Sequence, residues 1–345
     1  MIDPHVHLRD WEQKDKETVL HGMRVAASAG FTDLFDMPNT SPVCTTEAQV
    51  LARLELGREA SRLTGVRYHL YGGTTNDPDQ VRAMADLYKR YFPEVVAIKL
   101  FAGHSTGNMG IIGVENQRKV FETLADAGYK GVLAVHAEKE ELLKGELYVP
   151  GRFETWTEAR PCQAETESVR DLISLAVETG FEGTLHICHV SAASTIELVR
   201  QNKGRLKLTM GATPHHALLS RSDAAEHGRM LKMNPPLRQG DNHKAVFNAL
   251  LDGTIDWAES DHAPHTLQDK ERGASGIPGL PGMLLLLSRL RGAGCGKERL
   301  ERLFGKNAAS AFGIEYTAKP LPEDPQSLYE ELSKEYPFNP YAAMM

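Results

Sequence analysis

Short apolar runs alternate with longer amphipathic stretches along almost the whole chain. The apolar runs lie at 1–7, 31–37 ("FTDLFDM"), 66–73 ("VRYHLYGG"), 95–101 ("VVAIKLF"), 131–137 ("GVLAVHA"), 184–190 ("TLHICHV"), 206–212 ("LKLTMGA") and 254–260 ("TIDWAES"). Most lack a polar face, so they predict strands buried on both sides, as in a parallel sheet. Between and after them, helical periodicity occupies residues near 15–29, 45–63, 77–91, 114–127, 162–179, 192–203, 241–250 and 280–291. Eight strands, each followed by a helix, predict an α/β protein with its parallel sheet closed into a (β/α)8 TIM barrel.

Two stretches break the rhythm. Residues 138–161 contain "VPGRF" and residues 262–280 contain "GASGIPGLPG". Long connections in a compact domain are commonly functional, and both follow strands, which places them on the catalytic face of a barrel. From Thr317 the chain becomes rich in proline and acid, with one short helix near 326–335. The expected organisation is therefore a catalytic barrel over 1–316 and a C-terminal arm over 317–345. No internal repeat is present.

Charge and cysteine usage narrow the class. Of 345 residues, 39 are Lys or Arg and 46 are Asp or Glu, a formal net charge of -7. With no basic block or Arg-rich stripe, a nucleic-acid partner is not expected. The longest apolar stretch, "MLLLLSRL" from Met283, is too short to span a bilayer, and no signal-like segment precedes Ile2. Cys44, Cys162, Cys188 and Cys295 are scattered without CxxC spacing, the pattern of reduced thiols in a cytoplasmic protein. Cys188 precedes His189 on a strand, which predicts the opposite face and a packing role.

The chemistry gathers at the strand ends. "MIDPHVHLRD" puts His5 and His7 two apart, so a strand would project both from one face. Alone, the pair is equally well a surface feature. However, strand four carries Lys99, strand five His136, strand six His189, and strand eight is followed by Asp261. Each has a bland alternative: a satisfied core histidine, a snorkelling lysine, a helix cap. All of them would have to hold at matching heights on five strands. Lys99 is the least ordinary, because burying an ammonium among apolar neighbours is costly. Burial favours the neutral amine, which can add carbon dioxide to give a carbamate, an anion able to bridge two metals.

The strings "HVHLRD", "FDMPNTSPV", "AIKLF", "AVHAE", "LHICHVS", "TPHHALLS", "MNPPLR" and "SDHAPHTLQDK" occur in the order found in dihydroorotases of the amidohydrolase superfamily. Over roughly residues 1–315 the chain resembles the long-type members of that family. The resemblance implies two zinc ions or other divalent metals. His5, His7 and Asp261 would bind the first, His136 and His189 the second, and Lys99, carboxylated by carbon dioxide, would bridge them together with a hydroxide. It makes Asp261 the general base and acid. It implies that Arg9, Asn39 and His265 hold a substrate carboxylate, that Asn234 and Arg238 border the pyrimidine ring, and that Ser105 and Thr106 lie on a loop that covers substrate. The implied reaction is the reversible cyclisation of N-carbamoyl-L-aspartate to L-dihydroorotate in pyrimidine biosynthesis. A homodimer and association with aspartate transcarbamoylase are the implied partners.

The chain also departs from the family pattern. No residues are seen that would build the flanking β-sandwich of long-type relatives. "HLRDWEQ" stands where proline-glycine usually follows the Arg motif, and Pro281 stands where relatives often carry Glu. The rival readings are another cyclic amidohydrolase, of the allantoinase or dihydropyrimidinase type, and a non-catalytic subunit supporting aspartate transcarbamoylase. The first lacks the Arg9–His265 combination, and the second would be expected to have lost metal ligands.

Overall fold

All eight apolar runs form strands that pair in chain order. The computed structural model describes residues 1–105 and 109–344. Its strands are β1 (Ile2–Val6), β2 (Asp33–Asp36), β3 (Arg67–Gly73), β4 (Val95–Phe101), β5 (Val132–His136), β6 (Thr184–Ile187), β7 (Leu208–Ala212) and β8 (Trp257–Ala258). Each is parallel to the next in a single eight-stranded order. A parallel bridge between Val6 and His262 brings the extension of β8 against β1 and nearly closes the barrel. The outer helices are α1 (Val19–Ala29), α2 (Glu47–Thr64), α3 (Pro78–Tyr91), α4 (Val114–Asp126), α5 (Cys162–Glu178), α6 (Ala193–Asn202), α7 (Asn242–Asp252) and α8 (Leu280–Gly292).

Local chemistry explains the helix limits. Thr46 and Gln49 form a reciprocal capping box that starts α2, and Gly65 ends it in the left-handed region. Thr18 caps α1 by accepting from the His21 amide. Only β4 fills its apolar run completely; β6 stops three residues early at Ile187 and β8 two residues early at Ala258. A third long connection, 213–241, was not singled out by the sequence pattern. It holds the short helices Pro214–Leu218 and Arg221–His227 before α7 begins.

The end of the barrel opposite the site is sealed by the short helix Asn307–Phe312. Phe312 stacks edge-on against Phe35 and Tyr71, with ring centroids 4.9 and 6.1 Å away. On the other end, Arg53 of α2 is buried against Asp36 of β2, donating from Nε at 2.9 Å. Asp36 also accepts the Leu8 amide, and Arg53 donates to the carbonyls of Leu8 and Arg9. This buried pair fixes the segment that leaves β1. Beyond the barrel, α9 (Pro325–Leu332) packs on α8 and α1, and Tyr329, Leu332, Tyr336 and Tyr341 join the main hydrophobic core.

Candidate active site

The C-terminal ends of the strands deliver the reactive side chains to one pocket. Its lining includes His5, His7 and Arg9 from β1 and its continuation, Lys99 from β4, His136 from β5, His189 after β6 and Asp261 after β8. His5 Nε2 and His7 Nε2 lie 3.3 and 3.0 Å from the same Asp261 oxygen, Oδ1. His136 Nδ1 lies 3.2 Å from His189 Nε2, and the His5 and His189 rings are 5.1 Å apart. Lys99 is buried, with Nζ 5.0 Å from the Phe101 ring centroid and 3.1 Å from Cys188 Sγ.

Strand alternation accounts for some of these positions and fails for others. His5 and His7 share a face by parity. His189 and Asp261 reach the pocket through positive φ angles, 38° and 47°, which non-glycine residues adopt at a cost. These turns explain why β6 and β8 stop early. They also correct the reading of Cys188, which points inward beneath the pocket toward Lys99 rather than to an outer packing face. Glu259 shares that interior layer. It accepts from His186 Nε2 (3.2 Å) and Trp257 Nε1 (3.0 Å) and lies 3.6 Å from His5 Nδ1. A Cβ at Gly211 would collide with its carboxylate, so glycine there makes room for it.

A second layer of contacts sets which imidazole nitrogen faces the pocket. Asn39 Oδ1 accepts from His7 Nδ1 at 2.7 Å, which leaves Nε2 facing Asp261. Glu138 sits 3.0 Å from His136 Nε2 and is itself held by Arg160, leaving Nδ1 toward His189. Such partners orient a ligating imidazole and raise its basicity. Glu138 stands in the "AVHAE" motif, two residues past His136, a position to which the motif alone assigns no role. Burial lowers His7 to about 4 and drives His189 well below its ordinary value, so both rings are neutral near pH 7. Burial would raise Asp261, but the hydrogen bond from His7 and the charge of His5 hold it well below the usual carboxylate range.

The residues around Asp261 fit a divalent metal ion. Ligand atoms of His5, His7 and Asp261 fall within 4.8 Å of one another. The buried Nδ1 atoms of His5 and His189 have no hydrogen-bond partner among the described residues. Neutral imidazoles and ionised carboxylates are the donor set that zinc and similar divalent ions take.

On the substrate side, Arg9 is buried, donates from Nε to Pro264 O at 3.2 Å, and lines the pocket. Its pKa falls to about 10 through burial, so it stays cationic. His265 lies just behind it, with Nε2 3.5 Å from Arg9 Nη2 and 3.1 Å from Ser275 O. Burial, with the charge of Arg9, lowers His265 to about 3 and keeps it neutral. Asn234 lines the pocket and accepts from Trp156 Nε1 at 3.0 Å, and Ser105 lines it too. Arg238 does not border the pocket. Its guanidinium is consumed by Ser191 Oγ (2.8 Å), Glu165 (3.2 Å) and the Arg160 carbonyl, which makes it a buried tie between connections. Thr106 lies outside the described residues. The 262–280 connection supplies Ala263, Ser275 and Gly276 to the wall.

No protein-family model matches the chain. A curated dihydroorotase from Lactobacillus johnsonii is 35% identical over 327 residues, covering 91% of this chain and 73% of that protein. The chain belongs to the dihydroorotase family. A Fusobacterium nucleatum dihydroorotase is 31% identical over 98% of the chain and 78% of its own length. Among solved structures, an L-hydantoinase (dihydropyrimidinase) from Arthrobacter aurescens superposes with a TM-score of 0.79 at 25% identity, covering 90% of this chain and 70% of that one. A Campylobacter jejuni dihydroorotase superposes with a TM-score of 0.71 at 19% identity, covering 92% and 84%. Dihydroorotases and hydantoinases are metal-dependent cyclic amide hydrolases on the barrel fold described here. Among the described residues, no helix is long and apolar enough to cross a membrane.

Proposed function

We propose that the protein catalyses the reversible closure of N-carbamoyl-L-aspartate to L-dihydroorotate at this pocket. The observation that carries the reading is the guanidinium of Arg9 in the same pocket as His5, His7 and Asp261. A dihydroorotate ring bears a carboxylate outside its reacting amide, and a buried cationic fork is suited to it. His265 and Asn39 complete the carboxylate clamp in this proposal. Asn39 Oδ1 also serves His7. Asn234, with Ser105, borders the ring, and Thr106 lies on the adjoining loop.

Two divalent cations, zinc in this proposal, held by His5, His7, Asp261, His136, His189 and a carboxylated Lys99, would polarise the reacting carbonyl and stabilise charge developing on its oxygen. The chain's own groups handle substrate and protons. In hydrolysis, Asp261 takes a proton from the attacking water and delivers it to the ring nitrogen as the C–N bond breaks. In closure, the ureido nitrogen attacks the side-chain carboxyl carbon, Asp261 passes the nitrogen's proton to the departing oxygen, and a second proton taken up from solvent completes the water that leaves. A carboxylate held below its ordinary pKa is ready as the base.

The test is a metal-stripped enzyme reconstituted with zinc, with and without bicarbonate, and assayed on carbamoyl-aspartate, dihydroorotate, hydantoin, dihydrouracil and allantoin. Turnover confined to the first two substrates and dependent on both additions supports the reading. Preference for a ring without a carboxylate overturns it. The described cysteines are free, which suits a cytoplasmic location. A homodimer and association with aspartate transcarbamoylase belong to the same proposal and are read by sedimentation of the protein alone and in mixture.

A further inference from the structure

Outside the pocket lies a buried polar cluster that the reaction does not use. His262, the residue after Asp261, is fully buried, and Leu280 N donates to its Nδ1 at 3.2 Å. Its Nε2 is thereby left to donate to the Glu17 carboxylate, whose oxygens lie 3.2 and 3.1 Å away. The hydroxyl of Tyr336, from the C-terminal arm, donates to Glu17 Oε1 at 3.1 Å and lies 3.4 Å from His262 Nε2. Its ring also meets His262 edge-on, with centroids 5.1 Å apart. His21 closes the outer side, 3.1 Å from Glu17.

The backbone of His262 touches both halves of the first metal-ligand set. Its carbonyl accepts the His7 amide at 2.7 Å, and its own amide donates to Ser260 Oγ at 3.0 Å. Asp261, between them, sits at φ 47°. A non-glycine residue persists there only where its surroundings over-determine it. The ring of His262 is one such constraint, clamped between α8 and Glu17. The arm supports both jaws. Tyr336 reaches Glu17, and Tyr341 fills the hollow over Gly282 near the start of α8, where a Cβ would strike its ring.

We propose that the C-terminal arm is part of the active-site scaffold, with Tyr336 acting as a positioning residue that seats Glu17 on His262 and so holds Asp261 and His7 in place. The kinetic part of this proposal rests on the reaction proposed above, while its structural part does not. Tyr336→Phe keeps the ring and removes only the donor. Tyr341→Phe is the control, because the Tyr341 hydroxyl has no hydrogen-bond partner among the described residues.

Two measurements test it. Hydrogen exchange of the metal-free protein should show the amides of 5–8 and 260–263 exchanging several-fold faster in Tyr336→Phe and unchanged in Tyr341→Phe. In the metal-loaded enzyme, kcat for dihydroorotate should fall about tenfold in Tyr336→Phe with KM unchanged, as expected for misplacement of a reacting group. Wild-type exchange in Tyr336→Phe, or equal effects in both variants, overturns the proposal. If wild type fails to turn over dihydroorotate, the function falls while the exchange result still decides the scaffold.

Discussion

Two residues of the site, His189 and Asp261, stand in the left-handed backbone region, and both are metal-ligand candidates. That is where strand parity stopped being a guide. His5, His7, Lys99 and His136 were legible because they lie on strands whose alternation holds to the end. Cys188 was misread for the complementary reason, since parity with His189 was assumed across a turn that re-aims only His189. Arg238 was misplaced because nothing in "NPPLR" reveals that Ser191, Glu165 and a carbonyl already occupy its guanidinium. Two predictions belong at this scale. Asp261→Asn should lower kcat by about 10³-fold or more, since it removes the base without removing the other ligands. Elemental analysis should show metal retained, and activity in a metal-loaded variant would sink the assigned role. Arg9→Lys keeps the charge but loses the fork. It should cost about 1.5–3 kcal/mol in kcat/KM, roughly ten- to 150-fold, with hydantoin turnover serving as the comparison that needs no carboxylate contact.

At the scale of elements, the eight strands and eight outer helices were legible because apolar runs and 3.6-residue periodicity report burial directly. The ends of β6 and β8 were not, because those residues remain apolar or buried after leaving the ladder. The 213–241 connection was missed for a related reason: it carries buried Leu231, Met233 and Leu237, which blur the contrast with a regular helix. One element-level device is the Arg53–Asp36 pair, which ties α2 to β2 and to the Leu8–Arg9 backbone. Both side chains are fully buried. Replacing one partner leaves the other charge uncompensated, so Arg53→Met should destabilise the fold by about 3–5 kcal/mol. Urea denaturation measures this. A change below about 1 kcal/mol would mean that the pair is dispensable. The double replacement Arg53→Met with Asp36→Leu should recover much of the loss, since two well-packed apolar groups need no partner.

Across the whole molecule, the cluster of Glu17, His262 and Tyr336 joins the segment before α1, the end of the barrel and the C-terminal arm. Its charge therefore registers as global stability. Burial would raise the Glu17 carboxyl, but its contacts with His262 and His21 outweigh it and lower the group from 4.5 to about 2. In the unfolded chain Glu17 returns to the ordinary value, so below pH 4.5 the unfolded state binds the proton more readily. A depressed carboxylate pKa contributes stability that is fully present above about pH 4.5 and is lost as pH falls toward 2. The size is about 3 kcal/mol, at 1.36 kcal/mol per unit. Glu17→Gln should therefore be less stable than wild type near pH 7, and the gap should narrow as pH drops from 5 to 2. Urea midpoints measured across that range read the difference. A constant gap would mean that Glu17 contributes only packing, and a gap that widens in acid would reverse the sign of the argument.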